Sequence, residues 1–123
     1  PVVLIVGTRP DAIKMAPVYE SLKNEGINTV VCSTGQHAEL LDAALELFAI
    51  KPEYNLKIMR PGQDLFYITE SLLAKMKEVF KEVNPALVIV QGDTTTAMTA
   101  ALAALTFIAF GVSCFGISNT FWA

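Results

Sequence analysis

The sequence predicts an α/β fold, a doubly wound parallel sheet, and three observations carry that expectation. Short β-branched runs alternate with longer segments of helical periodicity. The chain is 53% hydrophobic with only 17% charged residues, as α/β domains with strands covered on both faces tend to be. The segments follow one another with short connections, the signature of strand–helix–strand units with right-handed crossovers.

Each element follows from its local pattern. "VVLIV" (2–6) is the first strand. A helix is expected from Pro10, a favoured first-turn residue, to about Asn24, with Ile13, Ala16, Val18 and Leu22 available for packing and Gly26 as its stop. "TVVCS" (29–33) is the second strand, followed by a helix over 38–49 with Leu41, Leu45 and Phe48 at helical spacing. "NLKI" (55–58) is a weaker third strand. In the next helix Leu65, Ile68, Leu72, Met76, Val79 and Val83 recur at steps of three and four, while Glu70, Lys75, Lys77, Glu78, Lys81 and Glu82 form the opposite, solvated face. Asn84-Pro85 ends it. "ALVIV" (86–90) is the fourth strand, an almost wholly apolar helix spans Thr94 to about Ile108, and a final strand is expected at 111–115.

Composition narrows the function. A chain of 123 residues suits one domain, 1–123, with a continuous core. Its formal charge of −3, without a basic run, gives no support for a nucleic-acid partner. Cys32 and Cys114 form no C-x-x-C pair and have no metal-like spacing to His37, so buried, reduced thiols and no metal site are expected. The opening "PVVLIV" is strand-like and unlike a secretory leader, which points to a cytoplasmic location. Residues 97–117 have the length of a membrane span, but Thr99, Thr106, Gly111, Ser113 and Gly116 interrupt them. A buried helix followed by a central strand accounts for the same residues, so no membrane partner is expected. A poorly packed tail is the remaining reading.

Parallel strands send every following loop to one edge of the sheet. "GTRP" (7–10), "GQH" (35–37), "RPGQ" (60–63) and "QGDTTT" (91–96) therefore gather Arg9, Gln36, His37, Gln63 and Asp93 on one rim. In a strand order 3-2-1-4-5 the switch point lies between Arg9 and Asp93, and the two glutamine turns stand further out. Gly7 is expected to permit a tight turn and Pro10 to preset the helix, so that free N–H groups point into the inner cleft beside Arg9 as an anion site. The plainer alternative is a surface arginine on an ordinary turn. Neither G-x-G-x-x-G nor a Walker motif is present. Asp93 suits a helix N-cap, and one oxygen can cap while the other faces the cleft. Taken singly, His37 reads as a surface or capping residue and Lys14 as a solvated lysine.

Three stretches in register, "GTRPDAIKMAPV" (7–18), "TGQHAELLDAALELFAIKPEYNLKIMRPGQ" (34–63) and "VIVQGDTTTAMTAALAA" (88–104), resemble the amino-terminal domain of non-hydrolysing UDP-N-acetylglucosamine 2-epimerases over residues 2–106. The resemblance implies a Rossmann-like half of a B-type glycosyltransferase fold. It implies interconversion of UDP-N-acetylglucosamine and UDP-N-acetylmannosamine by elimination and re-addition of UDP through a 2-acetamidoglucal. No metal or nicotinamide cofactor is implied, homodimers are typical, and the product feeds surface-polysaccharide synthesis. Carried onto this chain, Asp93 is the catalytic acid implicated in proton transfer at the sugar. Arg9 lies near the phosphates, Lys14 supports the same loop, and Gln36, His37 and Gln63 match part of a site for a second, activating UDP-N-acetylglucosamine.

The match stops near residue 107. The family continues with a strand and a "PVGHVEAGLRTG"-like loop, whereas this chain reads "FGVSCFGISNTFWA" and carries no glutamate after Glu82. A truncated or frame-disrupted product lacking the second, UDP-binding domain is therefore expected, weakly active or inactive by itself because groups that act as a unit are missing. A non-catalytic sugar-nucleotide-binding or assembly module, an inert remnant and a B-type glycosyltransferase fragment are the other readings.

Overall fold

Val2–Val6 has no polar side chain, so its backbone N–H and C=O groups must find partners along its two edges. In the computed structural model, which describes residues 1–35 and 38–111, they do. This strand, β1, pairs in parallel with β2 (Thr29–Ser33), from Val2↔Thr29 to Val6↔Ser33, and with β4 (Leu87–Val90), from Val2↔Leu87 to Ile5↔Val90. A two-residue β3 (Tyr54–Asn55) pairs with the end of β2, giving the order β3-β2-β1-β4. Helices α1 (Arg9–Asn24), α2 (Ala38–Leu47), α3 (Leu65–Val83) and α4 (Thr95–Gly111) complete the alternation. The α/β class with a parallel sheet and the order expected for its first four strands are thereby observed.

Alternate residues of β1 feed two cores. Val2, Leu4 and Val6 meet Ala12, Met15 and Ala16 of α1 and Leu41 and Leu45 of α2. Val3 and Ile5 meet Leu72, Met76 and Phe80 of α3 and Ala100 and Ala104 of α4. Phe107 joins the second core, its ring centroid 5.6 Å from that of Phe80. Along the outer side of α4, Met98, Leu102 and Leu105 are exposed.

Several boundaries and faces differ from expectation for local reasons. The stripe of α1 that meets the sheet includes Ala12, Met15 and Ala16, and Ile13, rotated about 100° from Ala12, is exposed. Helix α2 ends at Leu47, so Phe48 projects outward, and Leu65, the first residue of α3, is also exposed. At 55–58 only Asn55 belongs to the ladder, because Lys57 adopts a left-handed φ of 49° that breaks the extended run. The segment still follows β2 beyond the strand: Leu56 N–H donates to Ser33 and Ile58 N–H to Thr34, at 2.8 and 3.1 Å.

Side chains reinforce this short edge. The Glu53 carboxylate accepts from Val31 N–H at 2.7 Å, and Lys75 Nζ donates to the Leu56 carbonyl. The Tyr54 pKa is raised by desolvation and by a hydrogen bond to Glu82. Lys75 and Glu82, expected only to solvate the outer face of α3, thus brace β3. Gly111 closes α4 instead of opening the expected strand at 111–115, and the remaining positions of that strand lie outside the described residues.

Burial pushes the Cys32 thiol from 9.0 up to about 12. The folded form holds this proton more tightly than the unfolded form, so its stabilising contribution is complete below pH 9 and declines as pH rises towards 12. Urea denaturation midpoints of the wild type should fall more steeply between pH 9 and 11 than those of Cys32→Val; parallel slopes would refute this.

Candidate functional site

The chain progresses from β1 to β2 to β3 towards one edge of the sheet, then returns to place β4 on the other side of β1. The order reverses between β1 and β4, where loops leaving neighbouring parallel strands diverge to opposite faces and leave a crevice. The turn bearing Arg9 follows β1, and the turn bearing Asp93 follows β4. These turns are held close: a Cβ on Gly7 would stand 2.7 Å from Thr96 Cγ2 and 3.1 Å from Thr34 Oγ1. Gly7 therefore serves close approach between the ends of three strands, and its φ lies outside the left-handed region that the expected tight turn would use.

Two features correct the expected site chemistry. The turn into α1 pairs donors of its own: the Asp11 carboxylate accepts from Gly7 N–H at 3.2 Å and Thr8 N–H at 3.0 Å, and Thr8 Oγ1 accepts from Asp11 N–H at 3.5 Å. Pro10 has no N–H to offer. Of the amides expected to be free, those of Gly7 and Thr8 are thus taken by a buried carboxylate in a capping box, beside the exposed Arg9 side chain. At α4 the cap is Thr94, whose hydroxyl accepts from Ala97 N–H at 3.2 Å, and not Asp93. Asp93 is exposed, and so are Arg9 and Lys14. Among the described residues none of these three side chains makes a hydrogen bond or ion pair.

Gln63 lies on the loop after β3, at the far edge of the sheet from β4. Its Oε1 accepts from Arg60 N–H at 2.9 Å, while the Arg60 guanidinium stacks 3.6 Å from the Tyr67 ring centroid. Asp64 caps α3 by accepting from Tyr67 N–H at 2.8 Å. Gln36 and His37 lie outside the described residues. The turn carrying Gln63 is accordingly separate from the β1–β4 crevice.

Sequence reasoning missed Thr8, Asp11 and Thr94 as shapers of these turns. The signal for the first pair was "TRPD", a hydroxyl residue followed three positions later by an acid. Buried hydroxyls of Ser33, Thr34 and Thr99 and the Gln91 Oε1 lack hydrogen-bond partners among the described residues. No three His, Cys, Asp or Glu side chains among the described residues converge to hold a metal ion, and no helix there is long and apolar enough to cross a membrane.

Gly7→Ala should destabilise the fold by about 1–3 kcal/mol through overpacking. Thr96→Ser removes the nearest methyl, so the alanine should cost less in that background; urea melts giving equal costs would show that this contact is not the cause. Thr94→Ala should remove about 1 kcal/mol by loss of the α4 cap.

Comparison with known proteins places this geometry in a family. A family model described as UDP-N-acetylglucosamine 2-epimerase matches residues 20–108. The UDP-N-acetylglucosamine 2-epimerase of Campylobacter jejuni is 49% identical over 104 residues, covering 84% of this chain and 27% of the relative. That of Escherichia coli K12 is 48% identical over 104 residues, covering 84% and 28%. The crystal structure of the Neisseria meningitidis UDP-GlcNAc 2-epimerase bound to UDP-GlcNAc superposes with a TM-score of 0.81 at 46% identity, over 86% of this chain and 29% of that one. The Methanocaldococcus jannaschii enzyme, in complex with UDP-GlcNAc and UDP, gives 0.80 at 30% identity, over 86% and 30%. The chain thus spans little more than a quarter of the length of these relatives, and the family model that matches most of it makes it a member of the UDP-N-acetylglucosamine 2-epimerase family.

Proposed function

We propose that this chain forms one wall of a UDP-N-acetylglucosamine 2-epimerase cleft, binding the sugar nucleotide across the turns that follow β1 and β4. The observation that carries the reading is the adjacency of those strands, which brings a cationic turn beside an acidic one at the point of strand reversal. Neither turn spends its exposed charge on capping the following helix.

In this reading Arg9 meets the diphosphate, Lys14 adds positive charge one turn into α1, and Asp93 handles a proton at the sugar. Elimination takes the proton from C2 and sends the anomeric C–O electron pair to departing UDP, leaving a C1=C2 double bond. Re-addition of UDP at C1, with protonation of C2 from the opposite face, completes the epimerisation. A carboxylate suits the proton step, and fixed cations lower the cost of the charge that grows on the leaving group. Gln36, His37 and Gln63 would hold a second, activating UDP-N-acetylglucosamine on the outer shelf. A homodimer in the cytoplasm is the setting we assign to it.

The 123-residue chain on its own should bind without efficient turnover, since half a cleft neither excludes water nor orients the sugar. Isothermal titration with UDP-N-acetylglucosamine should give saturable binding, weakened at least tenfold by Arg9→Ala, and a coupled assay should detect little UDP-N-acetylmannosamine. Binding indifferent to Arg9→Ala and Asp93→Asn would overturn the assignment of the inner cleft; rapid product formation would overturn the expectation for the chain alone.

A further inference from the structure

Asp11 is only 5% exposed, and its carboxylate faces two turns at once. Oδ2 accepts from Gly7 and Thr8, the two residues immediately before Arg9. Oδ1 lies against Gly92, the residue immediately before Asp93: a Cβ at Gly92 would stand 2.9 Å from that oxygen. The capping box at α1 needs only Oδ2. Capping gives no reason for the other oxygen to abut the turn of the neighbouring strand.

Gly92 is suited to this contact on two counts. Its φ of +117° is one that L side chains rarely adopt, and its missing side chain is what lets the carboxylate approach. A buried carboxylate also carries a desolvation cost that its two N–H donors offset, so its position is tightly held. The two turns therefore meet across one rigid group.

We infer that Asp11 is a positioning residue, a strut that sets the distance and orientation of the Arg9 turn relative to the Asp93 turn. It acts through the Gly7 and Thr8 amides on one side and through contact with Gly92 on the other. Its effect on ligand binding rests on the function proposed above; its effect on the two turns does not.

Two measurements on the 123-residue chain separate these layers. In amide ¹H–¹⁵N spectra without ligand, Asp11→Asn should move the resonances of Gly7 and Thr8 and also those of Gly92 and Asp93, leaving Gly62 in place. Asp11→Glu, which restores the acid most common at this capping-box position, should return Gly92 and Asp93 towards wild type. Thr8→Ala removes the other half of the box and should lower the melting temperature without moving Gly92 or Asp93. Shifts confined to Gly7 and Thr8 in Asp11→Asn would overturn the strut and leave an ordinary cap.

In the second measurement, titration with UDP-N-acetylglucosamine, Asp11→Asn should weaken binding at least tenfold and Thr8→Ala less than twofold. Equal losses in the two variants would assign the effect to stability alone and defeat the inference. Absence of binding by the wild type would count against the proposed function, and the ligand-free spectra would still decide the strut.

Discussion

A strand buried on both faces has one way to satisfy its backbone, which is to be paired on both edges, and β1 is that strand. Every residue from Val2 to Val6 is buried, with alternate side chains entering separate cores. The rest of the fold is arranged around this requirement. Because β2 and β4 must both be parallel neighbours of β1, the helix following each strand crosses back over the sheet, and the loops at the carboxyl ends are driven together. The crevice between the turns after β1 and β4 is thus a consequence of how an apolar segment solves its hydrogen-bonding problem.

Crowding at that edge decides the chemistry available there. Gly7 admits Thr96 and Thr34, and Gly92 admits the Asp11 carboxylate, so the turns after β1, β2 and β4 interlock through side chains that a Cβ would displace. The same packing removes the Gly7 and Thr8 amides, just before α1, from service in an anion cradle, since Asp11 has taken them. The charged side chains left exposed on the turn after β4 and along the start of α1 are Arg9, Lys14 and Asp93. Side-chain charges of this kind act at longer range than amide donors and require a frame to hold them in register.

The opposite edge of the sheet uses charge differently. With only two ladder residues, β3 has too few backbone bonds to dock firmly, and Glu53, Lys75 and Glu82 supply contacts that a longer strand would not need. Gln63 and Asp64 continue this pattern, with side-chain oxygens standing in for carbonyls where the chain turns into α3. Polar residues along this edge are therefore partly structural, a role that their helical spacing alone conceals.

Periodicity and apolar runs made the α/β class, the limits of β1 and β2, and the extent of α3 legible in the sequence, because these depend on patterns local to each segment. The order β3-β2-β1-β4 was legible only as a condition, to which the handedness of crossovers gave weight. Tertiary structure alone decided that the second oxygen of Asp11 abuts Gly92, that the Glu53 carboxylate takes the Val31 N–H, and that Lys75 turns back to the Leu56 carbonyl. A short polar side chain has several partners of similar energy within reach, and which one it takes is set by the chain that packs beside it, at a sequence distance no local pattern records.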